Sequence, residues 1–307
     1  MPNTVVSVSD GPAITVRQLV GNPLLLPVRI LDMLNNAFLT DVIFRDAGRN
    51  NAAVVEFEES TPLFLAGDPE DIAEFGEIPV SVGQRGVPRI AVGVKRGLGV
   101  RVSREMIDEN NLGDVNRQLI QLRNTMVRAE EKALRSLALA ATIPAITASA
   151  SWSTTGTPRK DIANAMQTVA GAVPPGATTE DVLGFIPDTI ILPQTVTAGL
   201  MGNTDWLSVY SMGQNAAEDI RYTGRMPGQV MGLTPLQTYF WPSNKALVIQ
   251  RGIVGFRSDT RPLEATPVYP EGNGPNGGPT ESFRSDTTRK RVLGVDQPLA
   301  ACWINGI

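Results

Sequence analysis

The chain has 307 residues, of which 42% are hydrophobic and 19% charged, a composition that excludes an intrinsically disordered protein and allows one large or two smaller folded domains. The formal charge is −4 at pH 7, with 22 arginines and five lysines, so no overall positive field attracts nucleic acid. Histidine is absent, which removes the commonest general base and metal ligand, and the single cysteine, Cys302, excludes an intramolecular disulfide.

The first 45 residues form an apolar but poorly patterned N-terminal segment. The run Pro23 to Pro27 is too short and too closely bounded by proline to predict a core helix. Apolar residues at helical spacing predict a short helix over residues 29–38. A segment of this kind needs a surface to lie against, which is either its own domain or a neighbouring chain.

Residues 42–104 predict a long two-stranded excursion. Period-two alternation predicts strands over 42–46 and 53–58 around a turn, and return strands after residue 89. Eight acidic side chains and no basic one lie between Glu56 and Glu77, whereas six basic side chains and no acidic one lie between Arg85 and Arg104. The two limbs either pair with each other as solvated faces of a hairpin or face other chains.

Residues 114–141 give the clearest helix of the sequence. Asp114 can cap its N-terminus, and Pro144 stops it. At 1.5 Å per residue the helix is about 42 Å long. One apolar stripe at spacings of three and four consists of Val115, Leu119, Leu122, Met126, Ala129, Ala133 and Leu137. Such a single helix more often lies across a sheet than coils with a partner.

After a Ser/Thr/Ala-rich loop the chain alternates helix and strand. Pro158 in the first turn predicts a helix start, and residues 188–192 predict a buried strand before a helix over 194–201. Further strands are predicted over 238–241, 246–249, 253–256, 289–295 and 299–304, with a Gly/Pro loop over 262–280.

No catalytic, cofactor-binding or metal-binding site is predicted. Glu105, Asp108 and Glu109 resemble paired carboxylates, but acids at a helix start are favoured by the helix dipole. The glycines near residue 98 lack the dinucleotide-binding spacing, and no phosphate-binding loop is present. No run of 18 apolar residues and no secretory signal occur, so neither a membrane span nor a membrane partner is expected.

The order of these elements resembles the fold shared by major capsid proteins of tailed bacteriophages, herpesviruses and encapsulin compartments. Four stretches are similar to capsid subunits of actinobacterial phages: Glu74 to Pro79, Lys95 to Val102, Pro187 to Pro193, and Arg291 to Ala300. The resemblance covers nearly the whole chain, and it depends on the order of the motifs more than on any one of them.

The resemblance implies an α+β fold with an N-terminal arm, an extended two-stranded loop, a peripheral domain with a long spine helix and long strands, and an α/β axial domain. The boundaries expected from it are 1–45 for the arm, 46–98 for the loop and its base, 99–145 with 240–295 for the peripheral domain, and 146–239 with 296–307 for the axial domain.

The resemblance also implies a function: a major capsid protein that assembles through hexamers and pentamers into an icosahedral shell around double-stranded DNA. The expected partners are copies of itself, a separate scaffolding protein, a portal and a cementing protein, in the virion and, during assembly, in the host cytoplasm. The residues expected at contacts between subunits are Glu56, Glu58, Glu59, Phe64, Leu65, Asp68, Glu70, Asp71, Arg117, Arg123 and Arg128.

Three further expectations follow. Residues 1–30 and 56–95 contact other subunits more than their own chain. The chain reaches the loop within about 55 residues, which leaves no room for a built-in scaffolding segment. The loop has no lysine before Lys95, so the covalent lysine–asparagine cross-links of some relatives are not expected.

Two alternatives remain open. Within the same fold, the chain is an encapsulin-type compartment protein. In another class, it is a histidine-free α/β enzyme or binding domain that uses the Pro262 to Thr280 loop as a lid.

Overall fold

The computed structural model describes residues 15–62, 64–177, 180–200, 203–206, 229–274 and 277–307. The helices of these residues are α1 Val16–Gly21, α2 Leu25–Leu34, α3 Leu39–Ile43, α4 Arg104–Asp108, α5 Leu112–Ala140, α6 Pro158–Ala170 and α7 Gln194–Leu200. The strands are β1 Arg45–Asp46, β2 Val54–Glu59, β3 Val87–Val92, β4 Val94–Ser103, β5 Ala145–Thr147, β6 Thr189–Pro193, β7 Thr234–Thr238, β8 Lys245–Ile249, β9 Phe256–Ala265, β10 Tyr269–Pro270, β11 Ser282–Gly294 and β12 Ala301–Asn305.

The N-terminal segment has a core of its own from residue 15 onward. Val16, Leu26 and Ile30 are buried against the first half of α5 and strand β4. Helix α2 begins at Leu25, because Pro27 lies in its first turn, where a proline costs no hydrogen bond. This packing within the chain is contrary, for residues 15–30, to the prediction that residues 1–30 contact other subunits more than their own chain. The predicted helix over 29–38 is displaced, since α2 begins at Leu25 and ends at Leu34. Residues 1–14 lie outside the described part of the chain.

The chain between α2 and the loop also differs from the prediction. Residues 39–43 form helix α3 in place of the predicted strand over 42–46, since Ile43 and Phe44 turn into the core together. Strand β1 then pairs in parallel with β9, so it belongs to the main sheet and not to the extended loop.

The first sheet is built from three long antiparallel strands. Strand β11 lies between β4 on one side and β9 with β10 on the other, and β1 adds to β9. The predicted strand over 253–256 is wrong, because residues 251–254 turn before β9 begins. The predicted loop over 262–280 is also wrong in part, because β9 continues to Ala265 and β10 follows it. Residues 275 and 276 lie outside the described residues.

Helix α5 joins the two main cores of the molecule. Asn111, not Asp114, caps it, because the Asn111 Oδ1 accepts the Asp114 backbone N–H at 3.2 Å. The buried stripe follows the prediction through Met126 and then continues at intervals of four residues. Glu130, Leu134 and Ala138 are the buried positions after Met126, in place of the predicted alanines and Leu137. The last two of these pack in the core of the second sheet.

The second sheet has the strand order β5-β12-β8-β6-β7 and mixes parallel and antiparallel pairs. Helices α6 and α7 confirm the predictions, and α6 packs Ile162 and Val169 into the core of this sheet. Met201, the last residue of the predicted helix over 194–201, lies outside the described residues. The predicted strand over 238–241 is wrong, because strand β7 already ends at Thr238. Strand β8 pairs with β6 and β12, so it belongs to the second sheet and not to the sheet of β9 and β11.

A cluster of buried ion pairs connects α3, α5, β9 and β11. The Arg291 side chain is 1% exposed, and it pairs with Asp41 at 2.7 Å, Glu130 at 3.1 Å and Asp259 at 2.6 Å. Thr40 accepts a hydrogen bond from Arg291 and donates one to Glu130. Every charge of the cluster has a partner of opposite sign, as buried ions require.

Candidate assembly interface

Strands β2 and β3 form a separate antiparallel hairpin whose base is fixed to the rest of the chain. The Phe57 ring packs edge-on against Phe256, with 5.2 Å between the ring centroids. The Ser60 backbone N–H donates to the Asp296 carbonyl at 2.9 Å. The base of the loop is therefore attached to the first sheet, and the predicted strand over 53–58 and the return strands are confirmed.

Beyond this base the hairpin continues as a long loop. The Leu65–Gly83 bridge, the Ala66–Val82 hydrogen bond and the Gly67–Ser81 hydrogen bond all centre on residue 74. The chain turns back there, where the Gly76 N–H donates to the Ala73 carbonyl at 2.8 Å. The apex of the loop thus lies at the far end from the base.

The loop carries an unusual amount of exposed apolar surface. Phe75 is 98% exposed, and it has a φ of 66°, a backbone conformation that bulky residues rarely adopt. The other exposed apolar side chains of the loop and hairpin are Val54, Phe64, Leu65, Ile72, Ile78, Val80, Val82, Val87, Ile90 and Val92. Contiguous apolar surface of this kind marks an interaction site in a soluble protein.

The acidic side chains predicted for the loop are exposed beside this apolar surface. Glu56 and Glu58 lie on the solvent side of β2, and Asp68, Glu70 and Asp71 lie between the base and the apex. Phe64 and Leu65, also predicted at contacts, are 51% and 59% exposed. The structure therefore places these seven predicted contact residues on strand β2 and the loop that follows it. Leu63 lies outside the described residues.

Glu59 is an exception among the predicted contact residues. Its side chain is 10% exposed, accepts a hydrogen bond from Thr142 and pairs with Arg89 at 2.6 Å. Burial alone would raise the pKa of the Glu59 carboxyl, but the hydrogen bonds from Thr142 and Arg89 and the charge of Arg89 outweigh burial and lower it. Glu59 ties the loop base to the residues after α5 within its own chain. Its contact with another subunit stays a prediction.

The three predicted arginines of α5 lie apart from the loop. Arg117 is 71% exposed and pairs with Asp114 within the helix, and Arg128 is exposed. Arg123 donates from Nε to the Met33 carbonyl at 2.9 Å, so it holds α2 to α5 in its own chain. Among the described residues, no ion pair joins these arginines to the loop acids.

Sequence reasoning missed a cleft at the loop base. This cleft, of about 210 Å³, opens between the β2–β3 hairpin and the end of α5. Phe57, Leu137, Ala140 and Val295 supply its apolar wall, and Glu59 with Arg89 supplies a polar side. No local pattern could have indicated it, because its walls come from four distant stretches of the chain. Phe75 had one usable signal, as the single aromatic residue between Asp68 and Glu77.

Metal sites and membrane-spanning helices are both absent from the described residues. Within residues 15–307, as far as they are described, no group of three or more acidic, cysteine or histidine side chains could hold a metal ion. In the same part of the chain, no helix is both long and apolar enough for a membrane span.

Comparison with known proteins identifies the family of the chain. A family model described as "Phage capsid protein" matches residues 87–303, which is more than two thirds of the chain. No curated protein matches.

Similarity to solved structures identifies the fold of the chain. The capsid of cyanophage P-SCSP1u is similar with a TM-score of 0.59 and 11% identity, over 86% of this chain and 85% of the other. A structure from Gordonia phage Cozz has a TM-score of 0.55 and 14% identity over 99% of both chains. A virus-like particle from Pyrococcus furiosus has a TM-score of 0.55 and 13% identity over 91% of this chain and 97% of the other. The predicted α+β tailed-phage capsid fold is confirmed, and the chain belongs to the phage capsid protein family.

Proposed function

We propose that copies of this chain form hexamers and pentamers that close into an icosahedral shell around packaged double-stranded DNA. Membership of the phage capsid protein family indicates a structural protein of the virion shell, built from many copies. The exposed loop of residues 60–86 is the observation that carries the proposal, because its apolar side chains have no core in their own chain.

The loop supports a contact with a neighbouring copy in particular. Burial of apolar surface is the main favourable term in protein association, and the base of the loop is already fixed by Phe57 and Ser60. A loop fixed at one end and apolar at the other reaches a second copy without losing its own fold. The tip of the loop and the surface that receives it are then different patches of the chain. Contacts between two different patches close into rings of five or six when the rotation between copies allows it.

The two sheets fit the two domains expected of a shell subunit. We propose that the first sheet and α5 form the peripheral domain, and that the second sheet, now including β8, forms the axial domain around the capsomer centre. A separate scaffolding protein, a portal and a cementing protein complete the proposed partners, with assembly in the host cytoplasm.

A protein compartment without a genome is the second candidate. The similarity to the virus-like particle from Pyrococcus furiosus favours it, since the coverage of both chains is high. The experiment that separates the two is nuclease treatment of purified particles from infected cells, followed by extraction. We expect protected double-stranded DNA of one length. Particles that hold protein cargo and no protected DNA would favour the compartment instead.

A further inference from the structure

Phe75 is exposed at the apex of the loop, and a partly apolar cleft of about 210 Å³ opens at the loop base. We propose that Phe75 of one copy inserts into the loop-base cleft of the next copy, with Glu74 and Glu77 placed against Arg89 there. This inference rests on the proposed function, and it assigns the residues through which neighbouring copies join.

Phe75 has no local reason to be where it is. It occupies the third position of the Ala73–Gly76 turn at φ 66°, a position that normally takes glycine or asparagine. Its ring is 98% exposed, although aromatic residues bury more surface than most others when they find a partner. An apolar ring held outward by an unfavourable backbone conformation is suited to insertion into a partner.

The cleft is suited to one aromatic ring. Its volume is about 210 Å³, and its apolar wall includes Phe57 and Leu137. The loop cannot fill its own cleft, because the backbone pairs from Leu65–Gly83 to Gly67–Ser81 hold the apex at the opposite end of the excursion. We therefore assign the occupant to the apex of another copy.

Charge complementarity selects the same partner. Glu74 and Glu77 flank Phe75 and are exposed. At the cleft, the Arg89 side chain is 53% exposed and uses Nε for Glu59, so its two terminal nitrogens can receive another carboxylate. A guanidinium has five N–H donors and binds two carboxylates at once without a change of protonation. Each copy gives one apex and receives one, which is a contact that closes into a ring.

Cysteine cross-linking tests the contact. We would make the double variant Phe75→Cys with Ala140→Cys, assemble particles at a protein concentration well above the raised threshold expected for loss of the ring, and oxidise them with copper phenanthroline and air. A disulfide requires Cα atoms within about 4.4–6.8 Å, so it reports the proposed insertion and little else. The native Cys302 is buried and gives little background. We expect a ladder of linked chains on a non-reducing gel that collapses to monomer after reduction.

The matched control pairs Val80→Cys, which replaces another exposed apolar residue of the loop, with the same Ala140→Cys. That pair and each single variant should give monomer. Particles of the Phe75/Ala140 variant that show no ladder, or an equal ladder from the Val80 control, would overturn the inference and leave the proposed function standing. Absence of particles from the unmodified protein co-expressed with its scaffolding protein would instead refute the proposed function.

A second measurement does not depend on the cysteines. Phe75→Ala should raise the protein concentration needed for assembly by about 10-fold or more, and Phe75→Leu by less, because the lost burial scales with apolar area. Circular dichroism should show the same fold for both variants. An unchanged assembly threshold for Phe75→Ala would overturn the inference.

Discussion

Arg291 and Glu130 form an ion pair of 3.1 Å in the interior, between strand β11 and helix α5. The pair connects the first sheet to the helix that spans both cores, and Asp41 and Asp259 complete the surroundings of Arg291. Buried charges of this kind add little net stability when they are paired. Removal of Arg291 leaves Glu130 in a dry site with only the more distant Arg96, at 3.7 Å, as a partner.

Arg291→Met should therefore lower the free energy of unfolding by about 3–5 kcal/mol. Arg117→Met is the matched control, because Arg117 pairs with Asp114 at the surface and its loss should cost about 0–1 kcal/mol. Urea denaturation of unassembled subunits measures both. Equal effects of the two substitutions would contradict the role given to the buried cluster.

Glu131 makes the stability of the subunit depend on pH. Burial raises the pKa of the Glu131 carboxyl, and the hydrogen bond from Thr238 only partly opposes this. A raised pKa in the folded state favours the protonated form, so this contribution to stability is present at acidic pH and is lost as pH rises through the folded-state pKa.

Glu131→Gln should then be more stable than the unmodified protein at pH 7.5, and the difference should shrink at pH 4. The glutamine side chain keeps an oxygen that accepts the Thr238 hydroxyl hydrogen bond, but it has no charge to bury. Thermal unfolding at the two pH values measures the effect, with the exposed Glu109→Gln as the control. If Glu131→Gln is less stable than the unmodified protein at pH 7.5, the carboxylate is favourable there and the prediction is wrong.

Much of the fold is accessible from periodicity, and the failures have physical causes. Helix α5 and strand β2 are predictable because one face of each has a clear apolar pattern, and β6 and β8 because each is a short apolar run. The first turn of α2 escapes prediction because Pro27 resembles a helix breaker, although it lies in that turn. Glu130 could not be predicted as buried, since the arginines that pair with it, Arg96 and Arg291, come from distant strands.

The exposed acids of the loop should steer assembly through charge. Reversal of Glu70 and Asp71 to lysine should slow assembly at low salt and make its rate less dependent on added salt, because attraction to a basic neighbouring surface is lost. Glu109→Lys, at a surface acid away from the loop, is the control. Light scattering measures the rate. An unchanged rate at low salt would show that these side chains are only solvated.

The shell should contain no covalent link between chains. Residues 60–86 contain no lysine, and burial raises the pKa of the Cys302 thiol to about 11, so little thiolate is available. Particles boiled in detergent and reducing agent should give one band near 32.9 kDa. Ladders of five and six chains that survive reduction would contradict this.

The central claim is that the extended loop converts this subunit into a closed shell. The most direct measurement is electron microscopy of the protein, purified after co-expression with its scaffolding protein, beside a variant in which residues 61–85 are replaced by a short Asn-Gly turn that joins β2 to β3. We expect closed shells of uniform diameter from the unmodified protein. We expect only unassembled subunits from the variant, with the same circular dichroism spectrum. Identical shells from both proteins, or monomers from the unmodified protein under all conditions, would contradict the account.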